Sequence, residues 1–318
     1  MNQRLLGKTG IKVSEIAFGG VEIGLPYGIG VKSEADMISE SEAINLLHSA
    51  IDHGINFFDT ARMYGGSESI MGSAFKDRRD KVIICTKCRH FLNSDGTLPK
   101  PDKLKEIIEI SIKESLAALQ TDYVDVYMLH QVDIEILGNE PVSRIFSGLK
   151  KNGVIRATGV STYSMEETEK AIECGNWDVI QLPFNLMDQQ QEALFPFASQ
   201  RGVGIMVRSV LFKGILTDRG RNLHPALKKV KNHLKLYDEL LYDSRFDLST
   251  LATKFALSFD EVSSILVGID RLEYLYKSLA AADGLYLDQK MMARAKELCY
   301  PEPEFLDLPR WDKMGWLK

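Results

Sequence analysis

Short apolar runs ending on a polar residue recur along this chain, separated by segments whose apolar residues repeat at helical spacing. Ile55-Asn56-Phe57-Phe58 ends at Asp59, Lys81–Thr86 at Lys87 and Val124–Leu129 at His130. Similar runs lie at Glu15–Gly19, Arg156–Ser161, Val179–Leu182, Gly204–Val207 and Ser264–Val267. Runs of this length bounded by loops predict buried strands. Between them, Ala43, Leu46, Leu47, Ala50 and Ile51 predict one face of a helix, and Leu104, Ile108, Ile112 and Leu116 another. Leu272, Leu275, Tyr276 and Leu279 predict a third such face. Ser39 with Glu42, and Ser164 with Glu167, have the spacing of capping boxes that open helices. Residues 3–14 predict a hairpin around Gly7-Lys8-Thr9-Gly10.

Eight strand-then-helix units predict an α/β fold, a closed (β/α)8 barrel with an N-terminal β-hairpin, spanning residues 1–318 as one domain. A doubly wound sheet is the runner-up, but its Gly-x-Gly-x-x-Gly turn is missing. Parallel strands share one C-terminal edge, where ligands bind in such folds. Asp59, Lys87 and His130, with Tyr64 five residues beyond Asp59, therefore converge on one mouth. The long loops 20–38, 89–102 and 209–225 follow strand ends and are expected to overhang it. The tail after Pro301, with Trp311 and Trp316, is placed to fold over the barrel.

Composition narrows the function by exclusion. Apolar residues make up 45% of 318, ample for one large core, and the formal charge is −5 with no basic block. Nucleic acid is thus not an expected partner. The start lacks the apolar stretch of a signal peptide, and no run approaches a bilayer span, so the expectation is a cytoplasmic protein with no membrane association. Four cysteines in a chain this long make no disulfide framework. Cys85 and Cys88 fit a Cys-x-x-Cys pattern, but residues three apart on a strand face opposite sides, which argues against a redox or zinc site. No metal-ligand spacing is found. Gly7-Lys8-Thr9 lacks the upstream glycine of a phosphate loop, and Lys228–Lys235 reads as an exposed helix face.

The four mouth residues make sense as a proton-donating device. A free phenol has a pKa near 10, too high for an efficient acid at neutral pH. An ammonium beside it favours the phenolate, a carboxylate holds that ammonium in place, and an imidazole can orient a carbonyl. The phenol would then protonate an oxyanion while a cofactor delivers hydride, which no side chain can. A second reading makes Lys87 a Schiff-base lysine.

Phe58-Asp59-Thr60-Ala61-x-x-Tyr64-Gly65-x-Ser67-Glu68, Thr86-Lys87, Leu129-His130, Gly159-Val160-Ser161 and Gln181 together resemble the motifs of the aldo-keto reductase family, in the family's order and spacing. The resemblance runs from the hairpin to about residue 300. It implies a barrel that binds extended NAD(P)(H) without a Rossmann motif, with Asp59, Tyr64, Lys87 and His130 as catalytic tetrad and Tyr64 as acid/base. It implies that Ser161, Thr162 and Gln181 meet the nicotinamide, that Ser209–Gly214, including Leu211 and Lys213, covers the pyrophosphate, and that Gly268–Ser278 holds the adenosine end. It also leaves room for a regulatory barrel without turnover, since some relatives, such as potassium-channel β subunits, serve that way.

The departures from the family pattern shape the remaining expectations. Thr162 stands where Asn is frequent, and Arg208 where an aromatic usually stacks on the nicotinamide; a planar guanidinium can stack too. A loop-one tryptophan is replaced in Gly20–Gly24. Glu22, Arg89 and His90, with Arg208, make the expected substrate pocket polar, suited to hydroxylated sugar-like or cyclitol-like carbonyls. After strand eight, Gly268 replaces a lysine, Tyr274 an arginine or glutamine, and Ser278 an asparagine. Asp270 and Glu273 oppose a 2′-phosphate whereas Arg271 and Lys277 favour one, leaving a slight lean to NAD(H) over NADP(H). The oligomeric state is not readable from the chain.

Overall fold

The computed structural model describes residues 1–31, 33–93, 95–130, 132–242, 244 and 246–317. The N-terminal hairpin pairs β1 (Gln3–Leu5) with β2 (Lys12–Ser14). Eight parallel strands among the described residues then close into a barrel. These are β3 (Ile16–Gly19), β4 (Phe57–Asp59), β5 (Ile83–Cys88), β6 (Val124–Leu129), β7 (Ile155–Ser161), β8 (Val179–Pro183), β9 (Gly204–Arg208) and β10 (Val262–Gly268). The last pairs with the first, Gly268 opposite Gly19.

Helices cover the outside. They include α1 (Val21–Gly24), α2 (Glu40–Asp52), α3 (Ser67–Phe75), α4 (Pro101–Leu119), α5 (Ile134–Gly138), α6 (Glu140–Lys151) and α7 (Met165–Glu173). The series continues with α8 (Phe195–Arg201), α9 (Lys228–Leu241), α10 (Leu248–Leu257), α11 (Leu272–Ala281), α12 (Gln289–Glu297) and α13 (Leu308–Lys313). Both expected capping boxes form, at Ser39/Glu42 for α2 and Ser164/Glu167 for α7. Each satisfies helix donors that would otherwise be orphaned. The expected inner face of α11 differs: Leu275 is buried with Ser278 and Ala281, while Leu272 and Tyr276 stay about half exposed. Leu272 opens the helix, and Tyr276 sets its ring edge-on against His53 instead.

Strand alternation divides the apolar side chains into two cores. Ala17, Phe57, Cys85, Val126, Met128, Ala157, Val179 and Met206 fill the barrel interior. Leu6, Ile11 and Val13 of the hairpin join this cluster and plug the barrel's N-terminal end. Phe18, Phe58, Ile84, Cys88, Tyr127, Leu129, Val160, Ile180, Ile205 and Val207 face the helices. Cys85 and Cys88 therefore point to opposite faces, and burial pushes both thiols up, which suits neither redox chemistry nor metal binding. Among the described residues, no helix is long and apolar enough to cross a membrane.

Candidate active site

The same period of two builds the mouth. One step beyond the inward-facing Phe57, Cys85, Met128, Val179 and Met206 come Asp59, Lys87, His130, Gln181 and Arg208. Ser161 lies on the same face of β7, four residues beyond the inward-facing Ala157, with Gly159 between them. The top inward layer of a (β/α)8 barrel is where catalytic side chains sit. Thr162, next in sequence after Ser161, is turned outward and hydrogen-bonds Thr168 of α7 at 2.7 Å. Its expected cofactor contact is thus reduced to its carbonyl, which accepts a 2.8 Å bond from Arg208 Nη2.

Lys87 and Asp59 are buried beneath the mouth, with Nζ donating to both carboxylate oxygens at 2.7 Å and to the Thr60 carbonyl at 3.0 Å. Burial alone would discharge the amine, but the Asp59 carboxylate outweighs it and holds the ammonium well above its ordinary pKa. Gln181 Nε2 donates to Asp59 Oδ1 at 2.9 Å, and Ser161 Oγ donates to Gln181 Oε1 at 3.3 Å. The network links four strands into one rigid floor.

Tyr64 lies above it, its ring centroid 4.8 Å from Lys87 Nζ and 5.3 Å from the His130 ring. The sequence expectation that the lysine lowers the phenol pKa holds only as one influence among several. Burial dominates, Asp59 cancels part of the ammonium's pull, and the phenol is raised above its ordinary value. Tyr64 therefore keeps its proton at neutral pH. His130 is pushed down to about 3 by burial, then by Lys87, His90 and Arg208. Its Nδ1 is buried without a hydrogen-bond partner among the described residues. A neutral imidazole is the form that can meet a carbonyl without bringing a second charge. The expected result of histidine NMR is a His130 that stays neutral down to at least pH 5; a midpoint near the ordinary imidazole value of 6.5 would overturn this placement.

Local packing explains why Tyr64 is held there. Thr86 Oγ1 donates to the buried Glu68 at 2.6 Å, and Glu68 also pairs with Arg62. Thr60 bonds Ser67 at 2.8 Å, tying the segment before Tyr64 to the start of α3. Gly24 of α1 packs so closely that a Cβ there would come within 2.0 Å of the Tyr64 carbonyl oxygen.

From this floor a cleft of about 450 Å³ extends toward the start of α11. Small-molecule sites typically span roughly 300–1,000 Å³. Of the residues expected to bind cofactor, Ser161, Gln181, Arg208, Ser209, Leu211, Lys213, Gly214, Gly268, Asp270, Tyr274 and Ser278 line it. Arg271 does not: it is exposed, faces Asp270 at 3.4 Å and stacks over Tyr274. Lys277 lines the cleft and pairs with Asp247. Ser209, Phe212 and Lys213 hold positive φ, a strain that clusters at ligand clamps. The tail supports this loop, with Trp311 buried against Phe212 and Lys213 bonded to Asp312 at 2.9 Å.

The expected substrate residues fare unevenly. Glu22 lines the cleft, against Gly268. Arg89 does not, because it pairs with Glu114 on α4, while its backbone N–H donates to Ser111. His90 is exposed and reaches the site only through an edge-on contact with His130, at 5.5 Å. Loop 89–102 thus contributes less to the mouth than its length implied. Tyr27, Tyr163 and Arg219 line the cleft without having been expected. Arg208 lies 4.3 Å over the Tyr163 ring, and Arg219 donates to the Ile29 carbonyl at 3.3 Å and the Tyr274 hydroxyl at 3.2 Å. Nothing local in the sequence marks them, since their roles depend on contacts between distant loops.

A closed barrel with a phenol over a buried Lys–Asp pair, opening into an extended cleft, is the arrangement that the motifs at Asp59, Tyr64, Lys87 and His130 led one to expect. The aldo/keto reductase family model matches residues 15–299, and the chain belongs to that family. L-galactose dehydrogenase of Arabidopsis thaliana is 30% identical over 319 residues, covering 94% of this chain and 94% of that protein. The uncharacterized oxidoreductase YqkF of Bacillus subtilis is 27% identical, over 91% of this chain and 94% of its own. The structure of aldo-keto reductase AKR11C1 from Bacillus halodurans, in its holo form, superposes with a TM-score of 0.78 at 26% identity. That superposition covers 95% of this chain and 99% of that one. The family comprises oxidoreductases that interconvert carbonyls and alcohols with NAD(P)(H).

Proposed function

We propose that this chain reduces, and in reverse oxidises, a polar hydroxylated substrate of sugar or cyclitol type, with NAD(H) as the preferred cofactor and Tyr64 as general acid/base. The observation that carries the reading is the buried Lys87–Asp59 pair directly under Tyr64, in a cleft that continues past the loop after β9 to the start of α11. The residues present fit such a group. The cleft runs from the amide and hydroxyl of Gln181 and Ser161 to Tyr274 and Ser278, and it leaves the buried Glu22 Oε2 and His130 Nδ1 without protein partners. A reduced nicotinamide supplies the hydride when bound. As the substrate carbon accepts hydride, Tyr64 gives its proton to the carbonyl oxygen, and the phenolate left behind lies beside the Lys87 ammonium. His130 orients the carbonyl, and Arg219, Lys213 and the loop after β9, which line the cleft, would hold the pyrophosphate.

Cofactor choice follows from which cations are free. Arg271 faces Asp270 and Lys277 faces Asp247, so the two side chains best placed to grip a 2′-phosphate each meet a carboxylate already. Asp270 in the cleft repels a phosphate and can accept from a ribose hydroxyl. Substrate polarity is supported by Arg208, Tyr27 and Tyr163 at the cleft and by the similarity to an enzyme named for a sugar. Schiff-base chemistry at Lys87 is disfavoured, because it needs a neutral, accessible amine and this one is charged, buried and bonded to three acceptors.

The test is turnover on a panel of aldoses, polyols and cyclitols against benzaldehydes, run with each of the four nicotinamide cofactors. The expected result is higher catalytic efficiency on the hydroxylated compounds and tighter binding of NADH than NADPH. A preference for benzaldehydes overturns the substrate class. Clearly tighter NADPH binding overturns the cofactor assignment. Dinucleotide binding without turnover on any carbonyl or alcohol would favour the regulatory-barrel reading.

A further inference from the structure

Six barrel strands present a polar side chain at the inward rim, but β3 and β10 end on Gly19 and Gly268, which pair with each other. The rim is notched there, and the notch is filled from the loop above. Glu22 of α1 lays its carboxyl over Gly268 so closely that a Cβ at 268 would come within 1.9 Å of Oε1. Any side chain at 268 would expel it. Glu22 Oε2 is nevertheless buried and, among the described residues, has no hydrogen-bond partner. A buried polar atom fitted this tightly and left unpaired calls for a partner that the protein does not supply.

The notch lies between Asp59 at the catalytic end and Asp270 beyond β10. Glu22 and Gly268 line the same cleft as Tyr64 and Tyr274, so a dinucleotide reaching from one tyrosine to the other would carry its doubly charged pyrophosphate past the notch. We infer that Glu22 meets the bound dinucleotide as a neutral carboxylic acid, donating a hydrogen bond to it, so that binding above neutral pH takes up one proton at Glu22. The inference rests on the nicotinamide-dependent reading proposed above. A carboxylate in this place would repel the pyrophosphate, whereas the acid offers it a donor.

The groups around Glu22 agree with a neutral acid. Burial raises it first, a backbone hydrogen bond opposes, Asp270 and Asp59 raise it further and Arg219 pulls back, leaving it pushed up to about 8. Tyr27, in the same loop, is raised well above the ordinary phenol value, as is the Lys87 ammonium above its own. Both keep their protons through the neutral range, as does Tyr64, and His130 has already lost its own. Glu22 is the cleft group among these that titrates near pH 8.

The experiment is fluorescence titration with NADH, which carries no 2′-phosphate, from pH 6.5 to 9.5. It is paired with calorimetry at pH 8.5 in two buffers of different ionisation enthalpy. Wild-type affinity is expected to be level below pH 7.5 and to weaken by about tenfold for each pH unit above 8, with net proton uptake on binding. Glu22→Gln, a permanently neutral donor of similar shape, is expected to show a flat profile and no proton uptake, whatever its absolute affinity. Gly268→Ala, which displaces the carboxyl, is expected to lose the slope as well. A flat wild-type profile, or a Glu22→Gln variant that keeps the wild-type slope, overturns the inference. A wild-type protein that binds NADH at no pH overturns instead the functional reading on which the inference stands.

Discussion

Tyr64→Phe is expected to lower kcat by about 10²–10⁴-fold, the usual contribution of a general acid, while NADH still binds. The substitution removes one hydroxyl and keeps the ring that meets His130 edge-on and lies over the Lys87 ammonium. The backbone is untouched, and its close fit to Gly24 remains. The loss should fall on kcat and kcat/KM together, because the proton is given only as charge develops on the substrate oxygen. Steady-state rates beside a cofactor titration check this. A variant that turns over like the wild type would show that the proton comes from elsewhere, and a variant that loses NADH binding would show that Tyr64 also shapes the cofactor site.

The second large effect is expected at Lys87. Lys87→Met removes the cation that stabilises the phenolate and leaves Asp59 buried with neutral donors such as the Gln181 amide in place of its counter-ion. Removing one partner of a buried ion pair typically costs about 3–5 kcal/mol. Turnover should therefore vanish and the urea midpoint should fall with an unchanged slope. The double variant Asp59→Asn/Lys87→Met separates the two losses. It is expected to recover most of the stability, since a buried pair can often be replaced together at little net cost, and none of the turnover. An unchanged unfolding midpoint in the single variant would show that the pair contributes nothing to folding. A double variant with restored turnover would end the assignment of Lys87 to the chemistry.

Both effects trace to residues legible in the chain, and the reason is periodicity. Polar residues that end strands in step with inward-facing apolar ones point into the same barrel, so the strand pattern places Asp59, Lys87 and His130 at the mouth, while Ser161, Gln181 and Arg208 follow from the resemblance to the family's motifs. The same alternation separates Cys85 from Cys88 and turns Thr162 away from the mouth. The capping boxes of α2 and α7 are as local, each made within four residues.

What the chain by itself determined, then, is the closed barrel, its N-terminal hairpin and the strand-end residues Asp59, Lys87 and His130, because each follows from patterns that repeat over a few residues. The tertiary structure alone decided how the rim groups are charged and what the loops bring to them. The sign of the Tyr64 shift depends on burial competing with Lys87 and Asp59, a balance that no spacing encodes. Arg89 and Lys277 are drawn to Glu114 and Asp247, partners 25 and 30 positions away (114 − 89 and 277 − 247) on other elements. Arg219 meets Ile29 across a separation of 190 residues. Glu22 and Gly268 make one feature only because the first and last barrel strands pair, bringing the two ends of the chain together at a notch between two glycines. Long-range contacts of this kind are set by closure of the barrel, and side-chain charge follows from them, since desolvation and neighbouring charge act through space rather than along the chain.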